Sequence, residues 1–321
     1  MAVSVEKLSG YAFLSFADKK EFLLSELQQR FSISLKKVKD YGELIYIEDC
    51  PHLDEFPYFA STVMIEPNLL HFDSIGEAAS HLKSIQRSWA PYQFTCFRRA
   101  SLIQEKLPYV NLKNRNFPFA VPKGEIGLYT LIDEKTMIYS AATNSTLPGG
   151  RIVFNEDHEN PPSRAYLKIS ESLTLARHFF DVDLPDENSR CFEAGACPGG
   201  WTWVLVGLGA QVYAVDRAPL ADELMNNPLV TFQAHDAFTL KPEDLGEFDW
   251  VFSDVICYPE RLLEWIHTWL DSGKTKKMIC TIKMQGAINW ELVKEFESIP
   301  NSKVVHLNYN KHELTFIHVE K

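Results

Sequence analysis

The sequence predicts an α/β protein: a doubly wound, mostly parallel sheet with a C-terminal antiparallel hairpin, preceded by an α+β domain. Three observations lead there. After Pro162, short strand-like runs alternate with helical stretches, the pattern of βαβ units. The stretch FEAGACPGGW (192–201) sets a strand end beside two adjacent glycines and a proline, as the first βα turn of an open sheet does. The last two strand-like runs, 303–310 and 313–320, are separated only by Lys311 and His312. No crossover helix fits between them, so they pair as an antiparallel hairpin.

In chain order, a helix is expected over 165–180, a strand over 190–195 and a helix after Pro198. Strands follow at 211–216 and 229–236, with a short helix after Pro219 between them. A fourth strand spans 248–255 and its helix 259–270; a fifth spans 276–283 and its helix 289–298. The N-terminal part reads as strands at 11–16, 43–48 and 61–66, and a hairpin within 125–143. Asp18 is placed to cap a helix over 19–31, with Glu21 completing a capping box and Leu23, Leu24, Leu27 and Phe31 on its apolar face. A second helix is expected over 73–89. The turn-rich stretches 144–150 and 155–162 place the domain boundary, giving domains 1–150 and 151–321.

The chain has 321 residues, 45% of them hydrophobic, enough to bury the cores of two domains. The N-terminus lacks the basic start and apolar stretch of a secretory signal. No apolar run approaches the roughly 18 residues that span a bilayer. The six cysteines form no CxxC pair, as expected of reduced thiols in a cytoplasmic protein. The ten histidines show no ligand spacing, so no metal is expected.

A net charge of −11 argues against a nucleic-acid partner, but the charge is uneven. Between residues 87 and 123 seven bases (Arg87, Arg98, Arg99, Lys106, Lys113, Arg115, Lys123) face one acid, Glu105. Trp89, Tyr92, Phe94, Phe97, Tyr109, Phe117 and Phe119 are interleaved with them. Such a segment suits RNA; equally, its aromatics suit a core and its bases a solvated rim.

At the first turn the dinucleotide pattern GxGxxG fails, because Cys197 stands two positions after Gly195, and no GxxxxGK[ST] occurs. The acids say more. Glu193 lies in the first strand, Asp216 ends the second, Asp236 the third, and Asp254 lies near the end of the fourth. All four are expected at one crevice above the carboxyl edge of the sheet. An acid after the second strand accepts from both ribose hydroxyls, and one after the third from an adenine amine. A row of carboxylates repels a pyrophosphate but suits a ligand with a ribose, an amine and a positive sulfur, as S-adenosyl-L-methionine has. Gly195, Gly199 and Gly200 would let that ligand approach the backbone closely. Each acid alone is as readily a helix cap.

At these residues the chain resembles the FtsJ-like ribose 2'-O-methyltransferases. Within them it is most like the RlmM type, which methylates a cytidine ribose in bacterial large-subunit rRNA. PPSRAYLK (161–168), FEAGACPGGWTW (192–203), VYAVDRAPL (212–220), FSDVICYP (252–259), TIKM (281–284) and HELTFIHV (312–319) fall in the family's motif order. The resemblance implies the class I methyltransferase fold, S-adenosyl-L-methionine as cofactor and an RNA substrate. It implies a cofactor loop of Glu193, Gly195, Cys197, Pro198, Gly199, Gly200 and Trp201, with Asp216, Asp236 and Asp254 beside it. It also implies a catalytic Lys-Asp-Lys-Glu set, carried over as Lys168, Asp254, Lys283 and Glu313. In the RlmM type the N-terminal region holds ferredoxin-like and THUMP RNA-binding parts, which implies substrate binding by residues 1–150.

The set makes chemical sense. Methyl transfer from sulfonium to hydroxyl is an in-line displacement, with the oxygen about 3 Å from the methyl carbon. Lys283 ends the apolar run MICTI, where a lysine is costly without a partner. It is the candidate to touch the attacking oxygen, as proton acceptor or as stabiliser of developing charge. Asp254 would orient Lys283; Glu313 would position Lys168 or the ribose. Other chemistries fit less well. Base N-methylation shows Asn or Asp then Pro-Pro-aromatic, and here Asp254 is followed by Val255, Ile256 and Cys257. Methylation at a pyrimidine carbon needs an activated thiolate, and Cys257 and Cys280 sit in apolar surroundings. A non-catalytic RNA-binding protein would have lost a member of the set. A small-molecule methyltransferase would not need the basic segment.

Overall fold

The structure, a computed structural model, describes residues 3–320. The chain forms two compact units, one of Met1–Arg115 with Val121–Val153, the other of Asn116–Ala120 with Phe154–Lys321. Asn116–Ala120 thus leave the N-terminal portion. Within the C-terminal unit, Phe117 and Phe119 pack edge-on against Phe154, at 6.2 and 6.1 Å between ring centroids.

The N-terminal unit carries two sheets. One has four strands in the order Val38–Tyr41, Leu44–Ile47, Tyr11–Ser15, Ala60–Met64. The other has five, in the order Ser4–Lys7, Asn68–His71, Thr136–Ser140, Gly127–Leu131, Trp89–Pro91. Two expectations fail here. Asp18 does not cap the first helix, which runs Lys20–Gln29. Its φ of 57° is left-handed, whereas a capping residue needs extended backbone to turn its carboxylate onto the first N–H groups. The second helix, Ile75–Ile85, opens on a capping box of Ser74 and Glu77 but stops before 89. The indole N–H of Trp89 donates to the carbonyls of Leu82 and Gln86, both at 3.0 Å, which closes the helix end. Pro91 then keeps Ala90 extended, and Trp89–Pro91 pairs parallel with Gly127–Tyr129.

In the C-terminal unit, labels run as follows. Helix α1 is Tyr166–Phe180, strand β1 Arg190–Ala194, α2 Gly200–Gly207, β2 Gln211–Asp216 and α3 Asp222–Met225. Then come β3 Val230–Ala234, α4 Pro242–Leu245, β4 Trp250–Ser253, α5 Pro259–Asp271 and β5 Lys277–Lys283. The unit ends with α6 Trp290–Ser298, β6 Ser302–Val305 and β7 Glu313–Val319. The sheet order is β3-β2-β1-β4-β5-β7-β6, with β7 antiparallel to both neighbours.

The central strands are apolar along their length because helices cover both faces of the sheet. Phe192 in β1 packs 5.0 Å from Trp269 of α5, while Trp201 of α2 meets Phe252 of β4 edge-on at 6.2 Å. Burying Phe192 contributes about 1.5–3 kcal/mol. Pro259 opens α5 at a position whose N–H needs no helical partner, and the Asn289 side chain accepts the Leu292 N–H to cap α6.

The last two strands do pair antiparallel, but not through a two-residue turn. β6 ends at Val305 and the connection runs from 306 to 312. The N–H groups of Asn308 and Tyr309 turn away from the ladder to the Glu171 carboxylate on α1, at 2.9 and 3.2 Å. That contact, 137 and 138 residues distant in sequence, opens the hairpin.

Candidate active site

The parallel strands end along one edge, and the strand order reverses between β1 and β4. A crevice forms at such a switch point. Asp254 follows β4 and donates its N–H to the Ala194 carbonyl at the end of β1, 3.2 Å away. Lys283 closes β5. Because β7 runs antiparallel, its first residue returns to the same edge, and Glu313 stands directly opposite Lys283. Lys168 reaches over from the first turn of α1.

These four side chains form a chain of alternating charge. Lys283 Nζ lies 2.9 Å from Asp254 Oδ1. Lys168 Nζ lies 3.3 Å from both Asp254 oxygens and 3.0 Å from Glu313 Oε1. Glu313 Oε2 accepts the His312 N–H at 2.9 Å. Burial works against the Lys168 ammonium, but Asp254 and Glu313 outweigh it and raise the pKa above the ordinary lysine value. Lys168 is therefore a fixed cation. The Lys283 side chain is the more exposed amine, 22% against 14% for Lys168.

The loop after β1 is shaped by its neighbours. Gly195 has φ +74°, and a Cβ there would come within 2.8 Å of Val255 Cγ2 and 3.0 Å of its backbone N. Gly199 has φ +111°, and a Cβ would meet Leu224 Cδ1 at 2.3 Å. A Cβ on Gly200 would meet Ser163 Oγ at 2.4 Å. In the Cβ direction each of these glycines meets protein, which lets the loop lie against Val255, α3 and the approach to α1. Asp216 holds the loop from below, accepting the N–H of Cys197 at 3.0 Å and of Ala218 at 3.2 Å. Cys197 is exposed, while Trp201 is buried under the sheet edge.

Two expected crevice acids behave differently. Glu193 is turned inward; its carboxyl accepts the Thr202 hydroxyl at 2.6 Å, and burial raises its pKa to about 8. The alternation of side chains along β1 puts it beneath α2 rather than at the rim. Asp236 caps the short 3-10 turn 237–239, accepting the Phe238 N–H at 3.1 Å, and pairs with Arg217 at 2.8 Å. Burial opposes its ionisation, but that N–H and the arginines hold its carboxyl below the usual range. Both cysteines considered as nucleophiles are inert in this setting. Burial raises Cys257 to about 11 and Cys280 well above an ordinary thiol.

In the basic segment, Trp89 is core, and Arg99 is half-buried, donating to the Asp73 carbonyl and lying over the Phe72 ring. Arg98, Lys106 and Lys113 are exposed, as are Phe97 and Tyr109. Sequence reasoning overlooked Thr202, Glu171 and Asn310. Glu171 carried a signal: it lies three residues after Lys168, on the same side of the helix, amid a mostly uncharged run.

A parallel sheet in this order, with a reversed seventh strand and an acid-flanked first turn, defines the class I methyltransferase fold. Residues 161–304, within the C-terminal unit, match the FtsJ-like methyltransferase family, a type that uses S-adenosyl-L-methionine. The chain is similar to the ribosomal RNA large subunit methyltransferase M of Pseudomonas fluorescens, 36% identical over 127 residues, 38% of this chain and 34% of that protein. It is similar to the proteins of that name from Alteromonas mediterranea (32% over 166 residues) and Thauera aminoaromatica (28% over 167 residues). Each of those matches covers 45% of the relative, and 48% and 49% of this chain, respectively. The chain thus matches less than half the length of these relatives.

The residues at the edge fit the cofactor. Each Asp216 oxygen holds one backbone N–H and, like any carboxylate oxygen, has a further lone pair to offer a ribose hydroxyl. Asp216 brings a negative charge against the loop, which favours a sulfonium and an ammonium over a phosphate.

Proposed function

We propose that this chain transfers a methyl group from S-adenosyl-L-methionine to a ribose 2'-hydroxyl of RNA, a cytidine of large-subunit ribosomal RNA. The observation that carries this reading is the meeting of Lys168, Asp254, Lys283 and Glu313 at one crevice beside the glycine-rich turn. The rRNA substrate rests on the names of the similar proteins and on the exposed bases and aromatics between residues 87 and 123.

When bound, the cofactor supplies an electrophilic methyl on a sulfonium. Gly195, Cys197, Pro198, Gly199, Gly200 and Trp201 would shape its seat. Asp216 would take the ribose hydroxyls, and Asp236 the adenine side through whatever Arg217 leaves open. Lys283, the more exposed amine, would touch the 2'-oxygen that attacks. Asp254 aims that amine and is itself braced by Lys168. The Lys168 cation stabilises charge on the oxygen as it bonds the methyl and gives its proton to solvent, and Glu313 keeps Lys168 in place. Most of the rate enhancement would come from alignment and this fixed electrostatic frame.

Among the described residues no helix is long and apolar enough to cross a membrane, and all six cysteines are free. We place the protein in the cytoplasm, where rRNA is modified. The test is direct. Protein, large-subunit rRNA lacking the mark and tritiated-methyl cofactor are incubated, and the RNA is digested with alkali. Label in an alkali-resistant dinucleotide carrying cytidine supports the proposal. Label on a base, with alkali cleavage intact, refutes it.

A further inference from the structure

We propose that Glu171 is a positioning residue: from inside helix α1 it holds the turn that sets Glu313 against Lys168. This rests on the function proposed above. Glu171 is 3% exposed and lies on the helix that carries Lys168. Its Oε1 accepts the Asn308 N–H at 2.9 Å and its Oε2 the Tyr309 N–H at 3.2 Å. The next residue, Asn310, is buried and donates through its side-chain amide to the Glu313 carbonyl and the Thr315 hydroxyl, both at 3.1 Å. Glu313 then spends Oε1 on Lys168 and Oε2 on the His312 N–H. One helix thus supplies both the amine that Glu313 pairs with and the carboxyl that anchors the loop delivering Glu313.

A second anchor steadies the same turn. The Tyr309 hydroxyl accepts the Phe154 N–H at 2.7 Å, and the two rings stack at 5.9 Å between centroids. A buried carboxyl is an expensive way to fill space. A leucine would fill it without the desolvation cost but would leave two part-buried N–H groups without this acceptor. What Glu171 adds is therefore directional: two hydrogen bonds that open the β6–β7 connection and fix where β7 begins. Positioning of this kind is felt at the reacting groups, where a 1 Å displacement costs about 100-fold.

The test compares Glu171→Leu, Glu171→Gln, Glu313→Gln and the Glu171→Leu/Glu313→Gln double variant, each checked for folding by thermal melting. Glu171→Leu is expected to lower kcat for rRNA methylation by about 100-fold, with KM for RNA and cofactor affinity nearly unchanged. Glu171→Gln, which keeps an acceptor oxygen, should recover most of that loss. The double variant should be little worse than Glu313→Gln alone, because Glu171 acts through Glu313. Backbone amides of residues 308–313 should exchange faster in Glu171→Leu, in the absence of any substrate. Full kcat in Glu171→Leu, additive losses in the double variant, or unchanged exchange at 308–313 each overturn the proposal. Should Glu171→Leu not fold, Asn310→Ala cuts the other tie to Glu313 and must show the same kcat loss and double-variant behaviour. If wild-type protein labels no RNA, the functional reading fails, and the exchange experiment decides the positioning role by itself.

Discussion

Lys283 and Glu313 stand directly opposite each other in the antiparallel pairing of β5 with β7, and each reaches a different partner. Lys283 turns to Asp254 at 2.9 Å; Glu313 turns to Lys168 at 3.0 Å. Lys168 also contacts Asp254, so the four groups form one connected network drawn from α1, β5, β7 and the residue after β4. Reversal of the seventh strand makes this possible, since a parallel β7 would begin at the opposite edge of the sheet.

The most direct prediction concerns Lys283. Lys283→Ala is expected to lower methyl transfer by about 100-fold or more, the scale of removing one preorganised group at a reacting oxygen. Cofactor affinity should stay within a few fold, because Lys283 faces the acceptor side. Calorimetry and a tritiated-methyl assay check the two separately. Equal losses in both would refute the role assigned to Lys283.

Asp254 serves two lysines, so its loss should reach further. Asp254→Asn removes the anion between Lys168 and Lys283, and both activity and stability are expected to fall. Bonds of this charged, partly buried kind contribute about 1.5–3 kcal/mol. Denaturant titration of variant and wild type measures the difference. A variant as stable as wild type would mean that the network is solvated and weak.

The loop glycine makes a structural prediction with a control. Gly195→Ala forces a side chain into left-handed backbone, at about 1–2 kcal/mol, and drives its Cβ toward Val255. Both melting temperature and cofactor affinity should drop. Gly209, with φ +95° but no Cβ neighbour nearer than 3.4 Å, lies after α2 and away from the crevice. Gly209→Ala should lower stability while cofactor affinity stays the same; weakened binding in both variants would break the link to the loop.

Buried acids set a pH dependence. Burial raises Glu193 to about 8, against a bond from Thr202 that pulls the other way. The folded state keeps a proton that the unfolded chain releases near 4.5. This group's contribution to stability is therefore fully present below about pH 4.5, declines as pH rises, and is lost above about pH 8. Its slope reaches about 1.4 kcal/mol per pH unit. Glu171, also raised to about 8, and Glu26, raised to about 7, act in the same direction. Denaturant titrations between pH 5 and pH 8 should show stability falling, less steeply for Glu193→Gln. Identical slopes for variant and wild type would exclude a buried protonated Glu193.

RNA binding should weaken with salt, and Arg98→Glu with Lys106→Glu should flatten that dependence, by roughly one unit of log–log slope per lost phosphate contact. Arg99 is a poor probe, because its guanidinium is tied to Asp73 and Phe72. A salt slope untouched by the double reversal would place the RNA surface elsewhere.

Much of the catalytic unit was legible in the chain. Alternation of apolar runs with turn residues marked β1 to β5, and the position of each acid relative to its strand end placed Asp216 and Asp254 at the edge. A polar residue closing an apolar run, Lys283, announced that it needed a partner. Legibility failed where the deciding contact was remote. The helix expected to reach residue 89 stops at Ile85 because Trp89 caps it with an indole and Trp89–Pro91 pairs with a strand nearly forty residues on. Asp236, read as a ligand contact, serves as a cap and arginine partner as well. Glu193 looked like part of the rim and points under α2.

What the sequence by itself determined was the kind of unit and the chemistry available: helices and strands in alternation, a glycine-rich first turn, two lysines and two acids in motif order. These follow from local propensity and spacing, which act over a few residues. Only the tertiary structure decided that Glu313 returns to the crevice edge beside Lys168, that Glu171 opens the last hairpin, and that the loop glycines face protein atoms. Those outcomes hang on hydrogen bonds and packing between segments distant in the chain, or on which face of a strand turns inward. Local preferences are silent on both, because the energy that settles them appears only when the whole sheet closes.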